Sequence, residues 1–576
     1  MDSKHCLTEY DRIYMVITDR FFDGDKRNNG VLGCEYRPGQ LHYYQGGDWN
    51  GLEQKLDYIK ALGFTAVWIS PPQDNALFSR SGDEAGYHGY YTRDFNRTNP
   101  HFGTEQELRH LMNEAEAQGL KVILDAQLNH TAGFLNEKTW NYDNAYARPA
   151  PPFDNPAWYH HMPHIRDFDD EMERRYGSLG GLDDLAQENP ACFEALLKAY
   201  WQPEQNKGWF SYGFAGARLD AVMEIPERYL SAFEQHIGKP CFGEAYTGLV
   251  SVNAPYQRAI WSVLDYPLHF RMHNVFYENA DWSKIQEIFD QDGEYRAPNR
   301  LLTFLDNHDR QRFLGNAGDN YDKLRMALAF LYCIRGIPIL YYGTEQAMGA
   351  DWRYTDELVN DVNRQMMPAF DTQAPLFMWI KRLNEIRETH AVLFAEGEQR
   401  TLYCQIGDPV YAVQRRREGE EILVGAFNNS PIWQTRLLPL PNAENVNCLH
   451  DLLDTSYKAR VCRGKLLLAL PPFGARLLGA KTDSKWMPPP KTQTVLRFRC
   501  DCGWGNYLTV RGDTPPLCWE RGIRCDTIAP DLWQCTLERP KEGEIQYKAL
   551  LNDAVWETGE NHTVQVHTCA ENRPAF

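Results

Sequence analysis

No stretch of this chain approaches the roughly 18 consecutive apolar residues of a membrane-spanning helix, so no part of it is expected to cross a bilayer. The opening MDSKHCLTEYDR lacks the apolar core of a secretory signal. A cytoplasmic protein is therefore expected, with an already processed secreted chain as the alternative. Positive charge is scarce relative to negative. The formal net charge is −18, and such a surface repels nucleic acid and anionic membranes and favours neutral partners. Internal repeats are absent, which excludes a repeat array. Cysteine is present, 14 times, but no two are separated by two residues. A metal site among Cys500, Cys502, Cys518, Cys525 and Cys535 is therefore not expected, and unframed thiols fit a reducing compartment. Cys500 and Cys502 read as neighbours on one face of a strand, and Cys241 and Cys333 as buried small hydrophobes.

At 576 residues the chain is too long for one core and predicts about three to four domains. Its 43% hydrophobic and 24% charged residues are those of ordinary globular protein. The 16 Trp and 31 Tyr suit a ligand held by stacking, such as a sugar, although most aromatics pack in cores.

The first four hundred residues alternate helix and strand patterns. Leu52, Leu56, Ile59 and Leu62 recur at helical spacing before the stop at Gly63, and TAVWIS follows as a buried strand. Thr104 and Glu107 make a capping box, Gly119 a second stop, and KVILD the next strand. Such βα repetition predicts a parallel α/β fold, read as a (β/α)₈ barrel. Residues 1–130 and 186–395 form its two parts. Residues 131–185, rich in Asn, Pro, His and Asp, read as a subdomain inserted after the third strand. Short alternating strands then predict an all-β domain over 396–482. The proline-bearing linker KTDSKWMPPPKTQT leads to a second β unit over 490–576.

Glycoside hydrolysis needs two carboxylates flanking the scissile bond, and a barrel places such groups at the C-terminal ends of its strands. Four strand ends carry acids there. VILDAQLNH supplies Asp125, Asn129 and His130, and FAGARLD supplies Arg218 and Asp220. PCFGEAY supplies Glu244, and LLTFLDNHD supplies Asn307, His308 and Asp309. The spacing from Asp220 to Glu244 fits one strand–helix unit. Arg218, two residues before Asp220, points the same way and is expected to depress its pKa. A lone Asp at a strand end is more often a cap or an ion pair, so the weight rests on several such ends in order.

GFTAVWISP, DAQLNH, GARLD, GEAY and FLDNHD, in this order, resemble the motifs of the α-amylase family, glycoside hydrolase family 13, over nearly all of residues 8–480. The resemblance implies Asp220 as nucleophile, Glu244 as acid/base and Asp309 as transition-state stabiliser. It implies Tyr90 as a stacking platform, with Asp125, His130, Arg218, His308 and Arg364 also binding substrate. The implied activity is retaining hydrolysis of α-1,4-glucosidic bonds in starch, glycogen or maltooligosaccharides. The alternatives are a glucanotransferase using the same site and a non-catalytic glucan-binding protein.

VITDRFFDGDKRNN and YYQGGDWNGL are similar to segments of cyclodextrin glucanotransferases and maltogenic amylases. That likeness implies calcium held by Asp23, Asp25, Asn28, Asn29, Gly46 and Asp48, all hard oxygen donors. The family's other calcium site would use Asn129 and Asp184, but Glu224 stands where its histidine belongs. Gly180 replaces the central aromatic of the glucanotransferases, and Met223-Glu224 their Lys-His pair, which together favour water as acceptor. The last unit resembles a family 20 starch-binding module through Trp519, Lys548, Trp556 and Asn561.

Overall fold

A computed structural model describes all residues except 1–4, 32, 34, 143–147, 317–319, 350–361, 419–421, 442–445, 481–492, 504, 530, 539–542 and 567. The proline linker lies outside the described residues. Eight short parallel strands form the first sheet: β1 (Ile13–Val16), β2 (Ala66–Ile69), β3 (Lys121–Ala126), β4 (Gly216–Leu219), β5 (Cys241–Gly243), β6 (Ser262–Val263), β7 (Leu302–Phe304) and β8 (Ile337–Tyr341). Their order is β6-β5-β4-β3-β2-β1-β8-β7. A single parallel bridge, Leu264 to Leu302, joins the two ends, with the Asp265 amide donating to the Leu302 carbonyl at 2.8 Å. The sheet is thus closed into a (β/α)₈ barrel. Almost every strand position is buried, as expected where helices cover the outside and side chains fill the inside.

The local signals explain the helices. The capping box forms as read: the Thr104 hydroxyl accepts from the Glu107 amide, and the Glu107 carboxylate accepts from the Thr104 amide. Gly63 ends its helix in the left-handed region, at φ +92°. The stripe before it is two helices, Trp49–Glu53 and Leu56–Leu62, and not one. Between β2 and β3 the chain makes an antiparallel hairpin, Gln73–Asn75 with Thr92–Thr98, whose register shifts twice. Its polar sequence TRDFNRT carries no clear strand alternation.

After β3, the stretch to Leu185 contains a 3₁₀ turn (Pro156–Trp158), one short helix (Glu171–Tyr176) and isolated bridges, including His130 to Asp184. The chain divides into two compact units. The first is residues 1–315, 330–400 and 415–422; the second is 316–329, 401–414 and 423–576. Eight antiparallel strands between Glu398 and Gly479 make one sheet. The C-terminal segment forms a four-stranded and a five-stranded sheet around Leu496, Phe498, Leu508, Trp533 and Tyr547.

Candidate active site

Three of the four acids singled out at strand ends, Asp220, Glu244 and Asp309, meet in one cavity of about 660 Å³ at the C-terminal end of the barrel; Asp125 is wholly buried and does not line it. Tyr90, His130, Asp220, Glu244, His308, Asp309 and Arg364 all line it. Arg218, wholly buried on β4, is its hub. One guanidinium nitrogen lies 2.6 Å from Asp220 and 2.9 Å from Asp125, and the other 2.5 Å from Glu244. Asp125 also accepts from Trp68 Nε1 and from the Tyr90 hydroxyl, each at 2.9 Å. Tyr90 and His308 stack at 5.3 Å and share a 2.7 Å hydrogen bond. Arg364 reaches Asp309 at 2.9 Å and donates to the His308 carbonyl, and His308 Nε2 lies 3.1 Å from the Asp309 carboxylate. His130 lies 3.7 Å from Asp220.

Burial and charge divide the three acids. Burial pushes Glu244 up to about 8 and Asp220 up to about 6, in both cases against the pull of Arg218. The expected depression of Asp220 is corrected here: desolvation of a carboxyl at the bottom of the cavity outweighs its guanidinium neighbour. Asp309 is the exception. Burial raises it, but His308, Arg364 and Arg218 together hold it below the usual carboxylate range.

Tyr266, like Trp68, gave no sign in the sequence of belonging to the site. The Tyr266 hydroxyl, on the helix after β6, donates to Glu244 at 3.0 Å. Glu224 also lines the cavity, its carboxyl pushed up to about 8 by burial and by Glu244 and Asp220. Its presentation begins at Ala221, whose φ of +50° turns the chain sharply after Asp220. At Gly180, which lines the same cavity, an added Cβ would meet nothing within 4 Å, so the space left by the missing aromatic is open.

The six candidate calcium residues come together around the loop 23–29, but not as equals. Asp23 Oδ1, Asn28 Oδ1 and Asn29 Oδ1 are buried without a hydrogen-bond donor. A Cβ on Gly46 would lie 2.6 Å from Asn29 Oδ1. Asp25 instead pairs with Arg27, at 2.6 Å. Asp48 caps the helix Trp49–Glu53 and also accepts from the Gly24 and Asp25 amides. At the family's other position, Asn129 Oδ1 and Asp184 Oδ1 are unpartnered, while His160 bonds Asp184 and Glu188.

In the C-terminal segment Trp519 and Trp556 lie 6.2 Å apart at 38°, and Trp556 is 41% exposed. Arg511 sits 5.3 Å from the Trp556 ring, Lys548 donates to the Gly559 carbonyl, and Asn561 is exposed. Neither Trp519 nor Trp556 belongs to the core, whose tryptophan is Trp533.

The family model "Alpha amylase, catalytic domain" matches residues 15–374. The chain is 34% identical over 452 residues to a beta/alpha-amylase of Paenibacillus polymyxa, covering 76% of this chain and 34% of that protein. It is 33% identical over 445 residues to a cyclomaltodextrin glucanotransferase of Thermoanaerobacterium thermosulfurigenes, covering 73% and 60%. The chain therefore spans about a third of the first relative and three fifths of the second. A solved cyclomaltodextrin glucanotransferase of three-domain organisation superposes with a TM-score of 0.73 at 29% identity, over 81% of this chain and 99% of its own. With that match running through the barrel and all three of its acids, the chain belongs to the α-amylase family, glycoside hydrolase family 13.

Proposed function

We propose that this protein is a retaining glycoside hydrolase cleaving α-1,4-glucosidic bonds in starch, glycogen or maltooligosaccharides. Its relatives' names, an amylase and a glucanotransferase, point to the same substrate class. The observation that carries the reading is the meeting of Asp220, Glu244 and Asp309 in one cavity, the first two held by Arg218. Near neutral pH, Glu244 holds a proton for the leaving oxygen. Asp220 is ionised and attacks the anomeric carbon, and Asp309 stays charged to fix the sugar hydroxyls. Glu244, left as carboxylate by the first step, then takes a proton from water as that water displaces Asp220. Asp220 and Glu244 sit on the two terminal nitrogens of one guanidinium, at 2.6 and 2.5 Å. That supports the retaining mechanism over the wider spacing, roughly 6.5–9.5 Å, of inverting enzymes. Tyr90 and His308 supply a face for one glucose and hydrogen bonds to its hydroxyls.

Hydrolysis is favoured over transfer because the cavity is open at Gly180 and bears Met223 and Glu224 after the nucleophile. Product analysis from starch and from cyclodextrins, with glucose and maltose offered as acceptors, tests this. Dominant disproportionation or ring formation would make the enzyme a glucanotransferase, and no turnover would make it a binding protein. The exposed Trp556 and the half-buried Trp519 beside it are proposed to hold polymeric glucan.

The pH profile follows from the same division. kcat/KM is expected to be bell-shaped, rising through about 6 as Asp220 ionises and falling through about 8 as Glu244 loses its proton. The Tyr266 hydrogen bond stabilises the Glu244 carboxylate, so Tyr266→Phe should move the falling limb upward and leave the rising limb in place. A falling limb that does not move would detach Glu244 from it.

The three orphaned oxygens at Asp23, Asn28 and Asn29 fit a hard cation, and calcium is proposed there with the Gly46 carbonyl and Asp48. An ion bound only by the folded chain stabilises it by about 2.7 kcal/mol at a hundredfold excess over Kd. Chelation should therefore lower the melting temperature and excess calcium restore it. An unchanged melting temperature would remove the ion from the description.

A further inference from the structure

The C-terminal segment holds a group of thiols for which the carbohydrate chemistry has no use. Strand β9 (Gln493–Arg499) pairs antiparallel with β10 (Leu532–Glu538), setting Leu496 opposite Cys535. The strand Asp526–Ala529 pairs with β10 on its other side, Asp526 opposite Gln534, which carries Cys525 to a place beside Cys535. Both are buried in the core with Leu496, Phe498 and Leu508. Cys500 and Cys502 do not continue β9 as the sequence suggests. The strand ends at Arg499 and the chain bends, the Asp501 carboxylate accepting from the Gly503 amide at 3.0 Å.

That bend turns the two sulfurs toward each other, Cys502 Sγ lying 3.7 Å from Cys500 Sγ. Both ends of it are anchored. The Cys500 amide donates to the Asp531 carbonyl at 2.8 Å, and its carbonyl accepts from Trp533 Nε1 at 3.0 Å. The Cys502 carbonyl accepts from Asn506 Nδ2 at 2.7 Å. Both residues are half-buried against the same core, and both are free thiols. A bond length of about 2.05 Å lies within reach of side-chain rotation from this separation.

We propose that Cys500 and Cys502 are a dithiol that closes to a disulfide by exchange with a low-molecular-weight disulfide, making this bend a modification site. The Cys500 thiolate attacks one sulfur of the reagent, forms a mixed disulfide and expels a thiolate, which takes up the proton Cys500 gave. Cys502 then displaces the second half of the reagent as a thiol. Two electrons and two protons leave the protein, and one disulfide becomes two thiols. Burial and the contact with Cys500 push the Cys502 thiol up to about 12. With the Cys502 thiol held protonated, the step in which it closes the ring quickens with rising pH. A ring this small is readily opened again by a thiol.

Closure has a short path to the tryptophan face. Asn506 accepts from Asn552 Nδ2 at 2.8 Å, the Tyr507 amide donates to Asn552, and the adjacent Asp553 holds Arg511 at 3.0 Å, beside Trp556.

The test is peptide mapping by mass of the full chain after incubation with oxidised glutathione. The segment bearing Cys500 and Cys502 should lose about 2 Da, faster at about pH 9 than at about pH 7, and regain it with dithiothreitol. Cys502→Ser should stop at glutathione on Cys500. Should that variant not fold, Cys500→Ser serves, and should stop at a single glutathione on Cys502 with no ring formed. The proposal is overturned if the wild-type segment accumulates only the glutathione adduct. It is equally overturned if both thiols stay reduced while the exposed Cys462 and Cys518 react. A ring mapped to Cys502 and Cys525 would also overturn the assignment, so Cys525→Ser, which should close normally, is run beside it.

Discussion

Asp220→Asn and Glu244→Gln should each lower turnover of maltooligosaccharides by roughly 10⁴-fold while leaving the fold intact. Both replacements keep the shape of the side chain and most of its hydrogen bonds, so Arg218 retains neighbours at 2.6 and 2.5 Å. What each removes is a charge or a proton that no neighbour replaces. Asp125, although also bound to Arg218, is wholly buried and held by Trp68 and Tyr90, and cannot swing to the anomeric carbon. The two variants are separable. An aryl maltoside with an acidic phenol needs little help to leave, so Glu244→Gln should recover much of its first step on it, whereas Asp220→Asn should not. Circular dichroism checks the fold. NMR of fresh products should show the α anomer, and inversion would remove Asp220 as nucleophile.

Arg218→Leu is expected to have the largest effect on stability as well as abolishing activity. The side chain neutralises three buried carboxyls, and removing one partner of a buried ion cluster costs about 3–5 kcal/mol because the others keep their desolvation penalty. The sign of its pH dependence follows from the direction of the shifts. Asp220 and Glu244 already lie above their unfolded values, so each destabilises the fold increasingly as pH rises from the ordinary carboxylate range up to about 6 and about 8 respectively, and the effect levels off above. Without Arg218 both rise further, and the loss of stability should be small in mild acid and grow toward alkaline pH. Thermal melts of wild type and variant across that range measure it. A pH-independent difference would mean that the guanidinium acts by packing alone.

The acids were legible in the sequence because chemistry restricts residue type where a strand delivers a side chain to the cavity. Asp125, Asp220, Glu244 and Asp309 sit at such ends, and Arg218 shares its strand with Asp220. Tyr266 and Trp68 were not legible as parts of the site: each touches a carboxylate far away in the chain, and an aromatic at a buried position reads only as core. The hairpin Gln73–Thr98 was missed because its strands are polar and bulged. Asp220 was misjudged for another reason. The sequence shows its arginine partner but not the depth at which both are buried, and the depth decides the direction of the shift. The thiol pair depends on where β9 stops, and a strand's last residue is among the least readable features of a chain.

The barrel's closure by one bridge between Leu264 and Leu302 makes that line its seam. The adjoining strand, Ser262–Val263, is the shortest of the eight. What spans the seam is a charge clasp: the buried Arg335, at the start of the turn into β8, holds the buried Asp265 and the partly exposed Asp292 at 2.6 Å each. A cylinder sewn in this way is expected to open along that line before it melts. The Asp265 amide hydrogen, which bonds across the seam to the Leu302 carbonyl, would then exchange through a sub-global opening cheaper than unfolding. The helix Tyr266–Phe276 begins one residue past the seam and carries the hydroxyl that steadies Glu244. The most easily opened line of the barrel is thus also the one that sets the acid in place.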